Sequence, residues 1–246
     1  MAIKGSFNIL TRVDSTNNYA MQMVHGGMAG NGMAWFTQEQ TAGKGQRGRQ
    51  WLAEPGQNIA LSVVLAPQPL KNNHAFHLSM ITGLACRAFF DAYTGGETLI
   101  KWPNDIYWCD RKAGGILIEN VYHGKDWKWA IIGMGININQ VVFDPAMKNP
   151  VSLKQITGKT FDAEALAREL HTRLLHDFDQ LCRLSTDALT MLYNSHLYGL
   201  NQPVRLKKEN QVFETTIQGV SSGGQLLTKD TLERNFAFGE VEWIIG

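Results

Sequence analysis

Apolar and polar positions along the chain follow two periods, and they predict strands and helices in turn. Phe7 to Val13 reads as a short strand. It runs into Asp14-Ser15-Thr16-Asn17, four residues of the kind that cap helix N-termini, and a helix is expected from there to about His25. Met33 to Thr37 predicts a second strand and Ile59 to Leu65 a buried third. Between them, Gln38 to Asn58 is rich in Gly, Gln and Arg without periodicity. A loop of about 20 residues in a compact domain is usually functional or disordered. His74 to Tyr93 carries Phe76, Leu78, Met80, Ile81, Leu84 and Phe89 on several faces, which predicts a helix inside the domain. Short strands are expected on either side of Lys101 to Asp105. Gly115 to Val121 and Trp127 to Ile138 read as longer strands joined by a turn over Tyr122 to Asp126. Asp162 is placed to cap an amphipathic helix with Leu166, Leu170, Leu174, Phe178 and Leu181 at three-to-four spacing.

The pattern changes near Gly199. Beyond Pro203 come short alternating runs, Val204 to Leu206, Phe213 to Val220, Leu226 to Thr228 and Phe236 to Ile245, with turn-like residues at Asn210-Gln211 and Ser221 to Gly224. Short strands of this kind predict a small barrel. The expected division is therefore a catalytic-sized domain over residues 1–200 and a small β-domain over 201–246.

Composition narrows the class. With 44% apolar and 18% charged residues, the 246-residue chain has enough apolar residues for a core and too few charges for disorder. A net charge of +1 without a run of Lys and Arg argues against a nucleic-acid footprint. Met1 to Leu10 lacks the apolar region of a signal peptide, and no stretch has the length of a membrane span. Cys86, Cys109 and Cys182 are scattered and odd in number, which fits idle thiols in a reducing compartment, so a cytoplasmic protein is expected. His74 and His77 share a helix face with no third ligand at metal spacing, and His171 and His176 are expected on the solvated side of the Asp162 helix. The seven tryptophans read mainly as core.

Four segments carry candidate chemistry, each with a plain structural alternative. Gly43-Lys44-Gly45-Gln46-Arg47-Gly48-Arg49 combines three glycines, which let a backbone approach a ligand, with three cations. It could cradle an anion, or it could be a solvated loop; it is not a P-loop, because Gly45 follows Lys44 where Ser or Thr is needed. In Lys101-Trp102-Pro103-Asn104-Asp105, the proline stiffens a turn from which Asn104 and Asp105 project oxygen ligands of the kind that hold Mg²⁺. The alternative is an Asn-Asp turn with Trp102 in the core. Lys112, ahead of Gly114 and Gly115, sits at the mouth of a strand or is a surface lysine. Gly133-Met134-Gly135-Ile136-Asn137 lacks the third glycine of a dinucleotide fingerprint; its glycines mark close approach of a ligand or another backbone.

Order and spacing go further than any one segment. Asp14 to Asn17, then Gln40-Thr41-Ala42 and the Gly43 to Arg49 loop with Gln50-Trp51, then Lys101 to Asp105, Lys112 to Glu119 and Gly133 to Asn139 together resemble the biotin–protein ligase family, strongly over about residues 7 to 140. The resemblance implies an α+β fold, a mixed sheet with flanking helices of the class II synthetase or biotin–lipoate ligase kind, plus a small C-terminal SH3-like barrel. It implies activation of biotin by ATP to biotinyl-adenylate with release of pyrophosphate, followed by transfer to a lysine of a biotin carboxyl carrier protein.

The implied roles fall on named residues. Ser15, Thr16 and Gln40, with Asn17, would bind the ureido end of biotin. Gly43, Lys44, Gly45 and Gln46 would cover biotin and the adenylate, and Gly115, Gly133 and Gly135 would form the floor under the bicyclic ring. Lys112 would bridge the biotin carboxyl and the α-phosphate. Arg47, Arg49, Trp51, Asn104 and Asn137 would serve ATP, Arg49 and Lys101 would meet phosphate charge, and Asp105 would hold Mg²⁺ or help deprotonate the incoming lysine. ATP, Mg²⁺ and biotin are the implied co-substrate, metal and substrate. A homodimer is compatible with this, and neither nucleic acid nor membrane is an expected partner.

One departure stands out. Where the family loop commonly reads Gly-Arg-Gly-Arg, this chain has Gly43-Lys44-Gly45-Gln46, so one fork and one charge are lost. The expectation is a loop that holds the adenylate less tightly. A lipoate–protein ligase and a biotin-binding module without ligase chemistry are the alternatives; Lys112, Asn104, Asp105 and Arg49 argue against the second. The first site-like segment begins at Asp14, so a biotin-responsive repressor with an N-terminal DNA-binding domain is not expected.

Overall fold

The computed structural model describes residues 3–68, 70 and 75–244. Strand β1 (Phe7–Val13) and strand β2 (Ala34–Gln40) run parallel, linked by helix α1 (Thr16–His25). The second strand runs three residues past the expected Thr37, so the loop is shorter than the Gly, Gln and Arg content suggests. Strand β3 (Ile59–Leu65) is buried at every position, as a central strand covered on both faces must be. Helix α2 (Ala75–Thr94) follows; His74, the expected first residue, lies outside the described residues.

Strands β4 (Thr98–Lys101), β5 (Asp105–Trp108), β6 (Arg111–His123) and β7 (Asp126–Ile136) form an antiparallel run. The strand expected from Gly115 begins four residues earlier, so that Lys112 is the second residue of β6. The complete sheet has the order β1-β2-β3-β7-β6-β5-β4. Neighbouring residues of a strand face opposite ways. Trp35, Val64 and Ile131 therefore pack with Ala20 of α1 on one face, while Phe36, Leu61 and Ile132 join the larger core on the other.

Helix α3 (Leu153–Thr157) was not legible in the periodicity; Ser152 and Gln155 form a reciprocal capping box that starts it, and the left-handed Gly158 ends it. Helix α4 (Ala163–Leu181) is capped as expected, Asp162 accepting hydrogen bonds from the backbone of Glu164 and Ala165. Leu166, Leu170, Leu174 and Phe178 enter the core beside α2. His171 does not lie on the solvated side: it is buried, its Nε2–H donating to the Gly32 carbonyl at 2.7 Å with Phe7 against its ring. Its register, one residue after Leu170, turns it to the β1 edge rather than outward. His176 is exposed, as expected.

Helix α5 (Thr186–Asn194) leads to a second sheet built from β8 (Pro203–Lys208), β9 (Gln211–Val220), β10 (Leu226–Lys229), β11 (Glu233–Phe236) and β12 (Glu242–Ile244), in the order β11-β10-β9-β8-β12. This antiparallel, barrel-like sheet corrects one expectation. Phe236 to Ile245 is not a single run: it contains the end of β11, the turn Ala237 to Glu240, closed by Glu240 N–H to the Ala237 carbonyl at 3.1 Å, and β12, with Ile245 outside the described residues. Leu206, Ile217, Val220, Leu226 and Phe236 belong to the same apolar cluster as the first sheet. Trp102 Nε1–H donates to the Gly224 carbonyl at 2.9 Å, and Asn194 pairs with the Val220 backbone in both directions, so the second sheet is tied to the β4–β5 turn and to α5 by polar contacts as well as by packing.

Candidate active site

A cavity of about 430 Å³ opens over β7 and β6 and is walled by the loop after β2, the β4–β5 hairpin and the turn before β12. It is lined by Ser15, Thr16, Asn17, Gln40, Lys44, Gly45, Gln46, Arg47, Arg49, Trp51, Lys101, Asn104, Asp105, Lys112, Gly115, Gly133 and Gly135. Residues scattered over 120 positions of sequence thus meet in one place.

At one end the N-terminus of α1 supplies polar atoms. Thr16 donates from both its backbone N–H (2.8 Å) and its hydroxyl (3.2 Å) to Gln40 Oε1. Ser62 Oγ lies 2.7 Å from Thr16 Oγ1 and 2.6 Å from Asn17 Oδ1, and Asn17 Nδ2 donates to Glu119 Oε2 at 2.8 Å. Ser15, Thr16, Asn17 and Ser62 are all buried, and these bonds fix the orientation of the last three. A Cβ on Gly133 would overlap the Asn17 amide, which explains the glycine.

The loop after β2 is ordered by its own backbone. Gly45 N–H donates to the Arg49 carbonyl at 2.8 Å and Trp51 N–H to the Gly43 carbonyl at 2.9 Å, with Arg47 in the left-handed region at the tip. Trp51 then lies over the glycines of the floor, and a Cβ on Gly135 would overlap its indole. Gln46 Nε2 donates to the Ile116 carbonyl at 3.3 Å. Gln46 Oε1 and Trp51 Nε1 are buried with no hydrogen-bond partner among the described residues. Orphaned buried polar atoms on a cavity wall call for a polar ligand. The cations at the tip reach the second sheet: Arg47 donates to the Gly239 carbonyl at 3.1 Å, and Arg49 stands 3.8 Å from Glu242.

The β4–β5 hairpin has the turn with Trp102 in the core and also brings Asp105 to the cavity. Trp102 is in the core, and the Trp102–Pro103 peptide is cis. Asn104 bonds across to Ile116, accepting its N–H through the backbone carbonyl and donating from Nδ2 to its carbonyl, both at 2.9 Å. Lys101 and Asp105 face each other across the hairpin, and Asp105 pairs in register with Gly115. Lys112 Nζ lies 2.7 Å from Asp105 Oδ1. Lys101 is only 8% exposed, and burial holds its ammonium down at about 8, the nearby Asp105 carboxylate opposing and Lys112, Lys148 and Arg49 adding to the shift.

Two expected site residues are not brought to the cavity wall. Gly43 sits at the loop base against the Trp51 backbone. Asn137 is 1% exposed and donates to the carbonyls of Lys112 (3.3 Å) and Val151 (3.1 Å), so it braces the strand that carries Lys112. Asp105, expected to hold Mg²⁺ or to help deprotonate the incoming lysine, has a cation partner in the structure. The lining carboxylates Asp105 and Glu242 are each paired with a cation, and no group of three metal-ligating side chains occurs among the described residues. That donor set does not fit a dedicated metal cage. Sequence reasoning missed Ser62, Glu119, Tyr107 and Trp243. Ser62 had a signal, a lone hydroxyl in an otherwise apolar buried strand; Trp243 had none.

The comparisons with known proteins agree with this arrangement. The description "Biotin/lipoate A/B protein ligase family" matches residues 9–137. A biotin–[acetyl-CoA-carboxylase] ligase of Paracoccus denitrificans is 27% identical over 90% of this chain and 93% of its own length. The bifunctional ligase/repressor BirA of Salmonella typhimurium is 33% identical over 69% of this chain, which spans about half (52%) of that relative. Among solved structures, a biotin protein ligase from Aquifex aeolicus in complex with biotin and ATP superposes with a TM-score of 0.82 at 25% identity, covering 98% of this chain and 99% of the other.

Proposed function

The chain belongs to the biotin/lipoate A/B protein ligase family, and on that premise we propose that it activates biotin with ATP as biotinyl-5′-AMP and transfers the biotinyl group to a lysine of a biotin carboxyl carrier domain. The observation that carries the reading is the Lys112–Asp105 pair on the cavity wall between the polar end at α1 and the cationic loop.

In the first half-reaction a carboxylate oxygen of biotin bonds to the α-phosphorus, the bond to the β-phosphate bridge breaks, and pyrophosphate leaves. Two anions must approach each other, so fixed cations lower the barrier. Lys112 is the cation at the carboxyl–phosphate junction. Asp105 orients its ammonium and takes part of its charge until substrate arrives. Thr16, Gln40 and Asn17 with Ser62 behind them hold the polar ring end, Gly133 and Gly135 let the Asn17 amide and the Trp51 indole seat closely on the sheet, and Trp51 walls the ring. Arg47, Arg49 and Lys101 face the nucleotide's phosphates. Mg²⁺ would enter with ATP and add its charge to that of these cations at the phosphates.

In the second half-reaction the acceptor amine attacks the anhydride carbonyl, the carbonyl–oxygen bond to AMP breaks, and the amine loses a proton. The hairpin of Gly43 to Trp51 keeps water from the anhydride in the interval. The near-neutral charge favours a protein acceptor over nucleic acid, and three free cysteines suit the cytoplasm. Incubation with biotin, ATP, Mg²⁺ and a purified biotin carboxyl carrier domain is expected to add one biotinyl group to the carrier, read as a mass increase; an unmodified carrier contradicts the proposal.

A further inference from the structure

Lys101 is held in an unusual way for a cation facing a polar cavity. Its Nζ lies 5.0 Å from the ring centroid of Tyr107 on β5 and 5.1 Å from that of Trp243 on β12. Among the described residues the ammonium makes no hydrogen bond and no ion pair, although the residue is only 8% exposed. Tyr107 and Trp243 are joined through Tyr198, whose ring centroid is 5.2 Å from the first and 5.8 Å from the second. The aromatic wall therefore spans both sheets. Asp105, Lys112, Lys148 and Arg49 are the charged groups that act on Lys101. The side of the ammonium left open is the cavity, to which Lys101, Tyr107 and Trp243 all contribute.

Ring faces attract an ammonium electrostatically but accept its protons only weakly. A lysine caged in this way is fixed in position while its hydrogen-bond donors stay available, as a cation meant for an incoming anion requires. Trp243 can exert this hold because β12 pairs with β8 at Trp243–Leu206, at the edge of the second sheet, and the indole reaches Lys101 on β4 and Tyr198.

We infer that Trp243, on the C-terminal sheet, is a positioning residue for adenylate formation, acting through Lys101 by holding its ammonium toward the phosphate chain of ATP. The inference rests on the proposed ligase reaction. It gives the second sheet a defined part in the first half-reaction, separate from the Arg47–Gly239 and Arg49–Glu242 contacts at the loop tip.

The test is a double-substitution cycle on the full chain, read as biotin-dependent pyrophosphate release, with biotin affinity measured in parallel. Trp243→Leu keeps an apolar side chain without a ring face and is expected to lower kcat about thirtyfold, the size of a desolvated cation–π contact, with biotin affinity unchanged. Trp243→Phe restores a ring face and should recover most of the rate. Lys101→Met should lose more than Trp243→Leu, and the double variant Lys101→Met/Trp243→Leu should match Lys101→Met alone, because the tryptophan then has nothing to position. Multiplied losses in the double variant, or Trp243→Leu at the wild-type rate, would overturn the inference while leaving the ligase reading intact. No biotin-dependent release from the wild type would overturn both.

Discussion

Lys112 and Asp105 meet at 2.7 Å across neighbouring strands, Lys112 from the start of β6 and Asp105 from the start of β5. Each is partly exposed to the cavity, so the pair is a reserve of charge rather than a buried structural bridge. Substrate anions can take over the ammonium without moving the backbone, because the strand carrying Lys112 is braced by Asn137, Asn149 and Val151. Asp105→Ala should therefore lower the rate of adenylate formation by roughly 10- to 100-fold, the range for losing a charge-assisted partner. Asp105→Asn should lose less. The Mg²⁺ concentration giving half-maximal rate should stay unchanged in both; a marked rise in it would restore Asp105 as a metal ligand.

Gln46 occupies a loop position where a charge is expected, and its amide is spent on the Ile116 carbonyl. With no cation there, the loop contributes less attraction to the adenylate phosphate. Gln46→Arg is expected to slow dissociation of biotinyl-adenylate by about tenfold, the strength of one added charged hydrogen bond. Stopped-flow release of the adenylate from both proteins checks this, and equal off-rates would refute it.

Gly135 lies under the Trp51 indole with no room for a methyl group. Gly135→Ala should push the tryptophan off the floor and weaken biotin binding by about tenfold or more, with overpacking costing about 1–3 kcal/mol of stability. Titration calorimetry with biotin and thermal melting separate the two effects; unaltered biotin affinity would show that Trp51 does not cover the ring.

Lys101 carries its charge against burial. Its folded value near 8 lies below the ordinary 10.5 of a lysine. The unfolded chain therefore binds more protons between about pH 8 and 10.5, and wild-type stability should rise with pH across that window relative to Lys101→Met. Below pH 8 the charged lysine opposes folding, so Lys101→Met should be more stable at pH 7, by on the order of 2 kcal/mol. Activity runs the other way: pyrophosphate release should fall as pH rises through about 8, where the ammonium is lost. Melting curves and rate profiles over pH 6.5 to 10 for both proteins test both signs.

Much of this was legible in the sequence where the cause was local. Ile59–Leu65 announced itself by a continuous apolar run, α4 by Asp162 and its leucine spacing, and the cavity by glycines and cations whose order is distinctive. What escaped depended on register or on distance along the chain. The outward placement expected for His171 fails because its carbonyl partner is Gly32, 139 residues away. Asn137 reads as a ligand contact by its motif, yet just past the end of β7 it donates to the Lys112 and Val151 carbonyls. The Tyr107–Lys101–Trp243 stack joins two sheets, and no periodicity within either strand announces it.

The central claim is tested most directly by following pyrophosphate release from the purified protein with ATP and Mg²⁺, adding biotin or lipoate, in the wild type and in Lys112→Ala. The account predicts release that depends on biotin and not on lipoate, and that is lost in Lys112→Ala while biotin still binds. Release driven by lipoate, or no release with biotin, would contradict it.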